Sequence, residues 1–342
     1  MKEQLKSYVW GLGRSVLMVG VALVMSCKPG GVEEPDLDGR VPLVLQTDWF
    51  AQPEYAGFYQ ALATGLYAKH GLEVSIVEGG PNADPMKRLL LGRCDLVNAR
   101  VDDVMVAFSR GMPLRFAGVT MQHNPQAILS HRAHAITDFR QLDGRRIMVD
   151  VSAPWVDFIE RRYDIRVQRM PHNFGLSHYL NDERFIMQCF LTNEPYYVEK
   201  AGADPVVLPM WESGYDTYRG VVVTDDTWEK RPEVVRAFMA ATRAAWADYL
   251  YGDPSPAHQL IASRNPQMTA EFMDFIRSQL LKHGIIDGRP SSAANIGRLE
   301  TGRLEAPYQA LLDLGVIEKK VDFEVLFPTL TDSVAPQALI PE

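Results

Sequence analysis

Residues 41–77 read VPLVLQTDWFAQPEYAGFYQALATGLYAKHGLEVSIV. Residues 41–47 are short, apolar and free of helix signals, which predicts a strand. Residues 55–70 carry apolar side chains at helical spacing and end at Gly71, and residues 72–77 alternate apolar with polar as a second strand. Two strands separated by a helix cannot pair as a hairpin, because the helix carries the chain back to the starting end of the sheet. They lie side by side in parallel, and the unit predicts an α/β fold.

The same alternation continues. A turn at Gly79-Gly80-Pro81-Asn82 is followed by a helix over 84–91, a strand over 94–99, a helix over 102–110 and a strand over 114–121. A second set has strands near 146–149, 185–191 and 206–208, with helices near 155–163, 177–181 and 194–201. Residues 219–224 (RGVVVT) form one more strand, and Pro232 opens a long amphipathic helix running to 251. From Pro254 to about 314 the period is helical. We therefore expect two lobes, each a mixed, mostly parallel sheet flanked by helices, with a helical C-terminal tail: 41–124 plus 220–342 in lobe I and 125–219 in lobe II. The cleft between such lobes is a preferred place for a small-molecule site, built from the loops after the strands.

Upstream, Lys2, Lys6 and Arg14 precede a ten-residue apolar run, VLMVGVALVM over 16–25, which ends at Ser26-Cys27. A membrane span needs about 20 apolar residues, so this run predicts an export signal over 1–26. Residues 24–27 (VMSC) resemble a lipobox, which makes Cys27 the expected site of lipidation and gives a membrane anchor. Residues 27–40, rich in Gly, Pro and acid, form a tether. The expected location is the periplasm or cell surface.

The chain has 342 residues, of which 46% are apolar and 23% charged, within the range of ordinary globular proteins. Its formal charge of −8 supplies no basic field for phosphate backbones, so no nucleic acid is expected as a partner. Cys27, Cys94 and Cys189 are too few and too scattered for a disulfide scaffold or a zinc site.

The loop after the first strand, Asp48 to Tyr59, holds five aromatic side chains. Trp49 and Tyr55 offer flat faces, while Asp48, Gln52 and Glu54 offer in-plane hydrogen bonds, a set suited to a flat polar heterocycle. Phe58 and Tyr59 read as core residues of the helix. Asn98 ends the third strand, and Asp102 just beyond it reads as a solvated helix cap. Gln122, His123 and Gln126 lie in the expected connection between lobes. Glu194 opens a helix directly after a strand, where its carboxylate could hold a ring nitrogen or amino group. Tyr215 precedes the strand that returns to the first lobe, and Ser152 and Trp155 are lesser candidates.

Few residues form a chemical motif. There is no G-x-S-x-G, Walker loop or H-E-x-x-H. His131 and His134 fall on an extended segment and point to opposite faces, so no metal is expected there. Cys94 and Cys189 read as small buried side chains. No cofactor and no catalytic residue is assigned.

Four segments carry a family resemblance: residues 48–59, the run GLYAKHGLEV over 65–74, QHNPQ over 122–126 and EPYY over 194–197. They resemble the thiamine-pyrimidine-precursor binding proteins, a branch of the sulfonate, nitrate and taurine binding proteins of ABC importers. The resemblance covers about residues 41–250. It implies a two-lobed periplasmic-binding fold of type II that closes on a small-molecule solute and delivers it to an ABC permease. It also implies Trp49 and Tyr55 on the ring faces and Glu194 at its amino group or ring nitrogen. Where the branch usually has Asn and His, this chain has Gln52 and Tyr55. Two alternatives stand beside it: a binding protein for another solute, such as riboflavin, a sulfonate or an amine, and a pyrimidine-precursor synthase like the fungal branch of the fold.

Overall fold

The computed structural model describes residues 39–328, apart from 82, 152, 174, 301 and 318. The export segment, Cys27, nearly all of the tether and Ser152 lie outside the described residues.

Ten strands form two five-stranded sheets. In the first the spatial order is β2 (Leu72–Val77), β1 (Val41–Gln46), β3 (Leu96–Arg100), β10 (Arg219–Thr224), β4 (Leu114–Met121). In the second it is β7 (Gln168–Pro171), β6 (Arg146–Val149), β8 (Ile186–Phe190), β5 (Gln126–His131), β9 (Pro205–Pro209). The predicted parallel pair is present, in register from Val41 opposite Leu72 to Gln46 opposite Val77. β1 also runs parallel to β3, and β6 runs parallel to both β7 and β8.

Each sheet contains one reversed strand. β10 is antiparallel to β3 and β4, and β5 is antiparallel to β8 and β9. These are the two strands that arrive from the other sheet. β4 ends at Met121 and β5 begins at Gln126, so the crossing is too short to carry the chain to the far end of the second sheet. β5 must start where β4 stops, and it runs away from the gap that the other strands point toward. β10 does the same in return. The outcome is two sheets of matching order whose strand ends converge on one gap.

The helices follow their expected positions, with one correction. The segment predicted as a single helix over 55–70 is α1 (Ala56–Ala63) and α2 (Leu66–Lys69), broken at Gly65, whose φ of +70° suits glycine. After them come α3 (Pro85–Leu90), α4 (Val101–Ser109), α5 (Pro154–Tyr163), α6 (Ser177–Asn181) and α7 (Glu194–Lys200). The C-terminal part adds α8 (Asp225–Lys230), α9 (Pro232–Tyr251), α10 (Ser255–Arg264), α11 (Ala270–Lys282), α12 (Gly302–Asp313) and α13 (Phe323–Leu326). Among the described residues no helix is long and apolar enough to cross a membrane.

The helical tail packs mainly on the first sheet's helices. Phe238 of α9 stacks on Phe58 and Tyr67, and the Tyr67 and Thr242 hydroxyls lie 3.0 Å apart. Trp246 presses so closely on Gly57 that a Cβ there would meet its ring at 2.4 Å. α12 covers α4 through Leu304 and Leu311, which share a core with Val104 and Met105. Phe58 and Tyr59 are core residues, as their spacing predicts.

Candidate functional site

The loop after β1 is pinned before it can carry a site. Thr47 donates to the Trp49 carbonyl at 2.7 Å, and the Gly79 and Gly80 N–H groups bind the Trp49 and Asp48 carbonyls. A 3-10 turn over Pro53–Tyr55 then feeds α1. This places Asp48, Glu54 and Tyr55 at the gap end of the first sheet.

Asp48 accepts from the Tyr55 hydroxyl at 2.8 Å and from the Arg219 guanidinium. Arg219 is the first residue of β10 and is buried, so the pair ties the first loop to the start of the returning strand. Burial pushes the Asp48 carboxyl up, but the Arg219 charge and the two hydrogen bonds prevail and hold it below its ordinary value.

Glu54 points across the gap. Its Oε1 accepts from Thr192 Oγ1 at 2.6 Å, and Thr192 lies in the loop after β8 of the second sheet. Its other oxygen is buried with no hydrogen-bond partner. Two residues past Thr192, Glu194 opens α7 and accepts the Phe190 N–H at 2.7 Å. Burial raises the Glu54 carboxyl to about 7, against the Thr192 hydrogen bond, and raises Glu194 to about 7, helped by the charge of Glu54. Near neutral pH each is therefore divided between acid and carboxylate, able to donate as well as accept.

The remaining predicted residues divide by what they touch. Trp49 is half-buried with its ring edge-on to Phe50 at 5.5 Å, and Gln52 is half-buried at the start of the 3-10 turn, where its side chain makes no cap. Asn98, expected at a strand end, is the middle residue of β3; it accepts from Thr120 at 3.0 Å while its Nδ2 is buried without a partner. Gln126 is buried at the start of β5, its N–H on Asn124 Oδ1 at 3.3 Å.

Gln122, His123 and Tyr215 instead bind the chain itself. Gln122 donates to the Asn295 and Arg298 carbonyls at 2.9 and 2.8 Å and accepts from Arg303 at 3.1 Å, which uses both ends of its amide. His123 Nδ1 lies 2.8 Å from Asp216 Oδ2, and Arg303 donates to the same oxygen at 2.6 Å. Arg303 of α12 thus clamps both crossings between the sheets. Tyr215 donates to Asp102 at 2.9 Å, and Asp102 is buried, which corrects the expectation of a solvated cap: the second crossing passes directly over the start of α4. Trp155 lies in the core.

The structure therefore brings Asp48, Glu54, Tyr55 and Glu194 to the gap and adds Thr192 and Arg219, which the sequence reading leaves out. Glu54 was legible as a carboxylate in an aromatic loop. Arg219 was not, since a cation opening an apolar strand signals nothing until the strand's neighbours are known.

Among the described residues, no group of three or more His, Cys, Asp or Glu could hold a metal ion. His131 is buried, its Nε2 on the Tyr179 carbonyl at 2.8 Å and its ring stacked on Tyr179. Cys94 and Cys189 are buried and unpaired, and burial pushes both thiols up, Cys94 to about 11.

Three comparisons bear on this arrangement. The chain is 29% identical over 101 residues to the 4-amino-5-hydroxymethyl-2-methylpyrimidine phosphate synthase of Uromyces fabae; that stretch is 29% of this chain and 30% of the relative, so it spans under a third of the relative's length. The periplasmic aliphatic sulphonate binding protein SsuA from Escherichia coli superposes with a TM-score of 0.63 at 15% identity, covering 84% of this chain and 97% of that one. The ligand binding component of an ABC-type import system from Staphylococcus aureus superposes with a TM-score of 0.59 at 10% identity, covering 87% and 100%. The fold is that of the periplasmic binding proteins. With residues 52–257, more than half of the chain, matching the NMT1/THI5 like family model, the chain belongs to that family.

Proposed function

We propose that the protein is an exported solute-binding component of an ABC importer that holds a small flat heterocycle, of the thiamine pyrimidine precursor type, between two lobes. The lobes follow the two sheets, with the divisions at 124/125 and 219/220, although Arg219 itself already pairs within the first sheet. The observation that carries this reading is the pair of carboxyl groups on either side of the gap, buried Glu54 and half-buried Glu194, each raised to about 7 by desolvation. An aminopyrimidine edge presents an N–H donor beside a ring-nitrogen acceptor. In its neutral form a carboxyl group donates to the ring nitrogen and accepts from the amino group, and the unpaired oxygen of Glu54 leaves one position for such a donor.

Trp49 and Tyr55 then flank the ring, and Asp48, Gln52, Asn98 and Gln126 provide polar surroundings. Gln122, His123 and Tyr215, committed to the two crossings, act in this reading as the hinge rather than on the solute. The lipid anchor at Cys27 and the permease complete the proposal.

The test is calorimetry with 4-amino-5-hydroxymethyl-2-methylpyrimidine. Glu194→Ala should weaken binding by about 2 kcal/mol, the cost of losing a hydrogen bond to a charged or shared-proton group. Unchanged affinity removes Glu194 from the site. The name of the Uromyces relative supports a second reading, a synthase of the same pyrimidine. Formation of the phosphorylated pyrimidine by the purified protein would establish that reading in place of the first.

A further inference from the structure

A cavity of about 540 Å³ opens beside the first loop, on the first sheet alone. It is lined by Gln46, Phe50, Val77, the Glu78–Pro81 turn and residues 83, 84, 87, 88, 91 and 93, and shares no residue with the Asp48, Glu54, Thr192, Glu194 and Arg219 cluster. Three cations border it, Lys87, Arg88 and Arg93. Among the described residues none of the three has a carboxylate within ion-pair distance. The two acids of the lining are already engaged: Glu78 accepts from Arg264 at 2.6 Å and from Tyr59 at 3.1 Å, and Asp84 caps the Lys87 N–H.

Two buried atoms at this cavity lack partners. Arg88 Nε is a donor with nothing to bind, and Gln46 Oε1 is an acceptor with nothing to bind, although Gln46 is 2% exposed. Its Nε2 already donates to the Thr47 carbonyl at 2.8 Å, so the oxygen is the open end. Leaving such atoms unpaired costs free energy that a ligand would recover. Phe50 and Leu91, 45% and 57% exposed, provide an apolar wall beside the charges.

We infer that this cavity is a second site, distinct from the gap between the sheets, for a small organic phosphate monoester with an aromatic or apolar body. The three cations take the phosphate oxygens, Arg88 Nε among the donors. A monohydrogen phosphate retains one O–H, which Gln46 Oε1 accepts. A sulfonate has no such proton, so the unpaired acceptor discriminates against it.

The experiment is calorimetry on the whole protein at low salt and pH 6, near the second phosphate pKa of about 6, with phenyl phosphate, benzenesulfonate, inorganic phosphate and benzyl alcohol. Phenyl phosphate should bind more tightly than benzenesulfonate and inorganic phosphate, and benzyl alcohol should not bind. The variant Arg88→Gln should lose about tenfold in phenyl phosphate affinity, one charge-assisted hydrogen bond. The triple variant Lys87→Gln/Arg88→Gln/Arg93→Gln should lose binding at an unchanged melting temperature. Binding that survives the triple variant, or equal affinity for the sulfonate, overturns the inference. Glu194→Ala should leave phenyl phosphate affinity intact, so failure of the pyrimidine reading is separately visible.

Discussion

Glu54 and Glu194 show how one residue's environment sets its task. Each carboxyl has a folded-state value of about 7 against an ordinary 4.5, with burial the largest cause. Below the ordinary value both states are protonated and the groups cost nothing. As pH rises from 4.5 to 7 the unfolded chain ionises while the folded one keeps its protons, so stability falls across that window and levels off above it. Asp48 has the opposite sign, with a depressed value whose contribution is lost on acidification below its ordinary 3.8. Between 4.5 and 7 the pair acts against His283, His172 and His258, whose burial-lowered values, His283 at about 4, make stability rise with pH up to their ordinary 6.5. The carboxyls' share is read by urea unfolding of the ligand-free wild type against Glu54→Gln/Glu194→Gln, and it should decline by on the order of 2 kcal/mol per carboxyl over this window. The histidine contribution is common to both proteins and cancels, so a difference between them that stays flat or rises from pH 5 to 7 would contradict the assignment.

At the scale of elements, the parts that were legible in the sequence are those whose pattern is local. β1, α1 and β2 follow from apolar spacing and from Gly71, and Pro232 marks the start of α9. β7 was missed because QRMP has no apolar alternation, and Pro171 is tolerated only since β7 lies at the sheet edge. Gln122 and His123 looked like ligand groups because an amide and an imidazole in a loop suit any polar partner. That the partners are Asn295, Arg298, Asp216 and Arg303 depends on chain about 90 to 180 residues away, which periodicity does not report. Glu54 and Thr192, 138 residues apart, are the same case. The α1 and α9 contact gives an element-scale prediction. Gly57→Ala places a Cβ 2.4 Å from the Trp246 ring, which is held on both sides by core, so the helices must separate. The expected loss is about 1–3 kcal/mol, read from the urea midpoint with no change in slope.

At the scale of the whole molecule, the proposed function has the body bend about residues 122–125 and 214–218 while each sheet stays intact. Closure needs contacts that exist only when the sheets approach. One is Glu54 to Thr192. Another is made by helices: Tyr196 of α7 packs on Phe272 at 4.7 Å and Phe275 at 5.3 Å of α11, and Tyr197 packs on Phe272 at 4.9 Å. α7 follows a strand of the second sheet, whereas α11 lies against the 3-10 turn that holds Glu54. Under the proposed function this aromatic contact biases the ligand-free protein toward the closed form without touching the solute. An aromatic pair contributes about 0.5–1.5 kcal/mol, so its loss should shift the closed-to-open ratio about two- to twelvefold. Affinity then falls with the fraction of competent molecules. Tyr197 is 40% exposed, which makes Tyr197→Ala a variant that should still fold. It should show a larger radius of gyration by solution scattering without ligand, the wild-type radius at saturation, and a pyrimidine affinity reduced several-fold through slower capture. An unchanged radius and affinity would mean that α7 and α11 stay together throughout, and that any closure runs through the crossings alone.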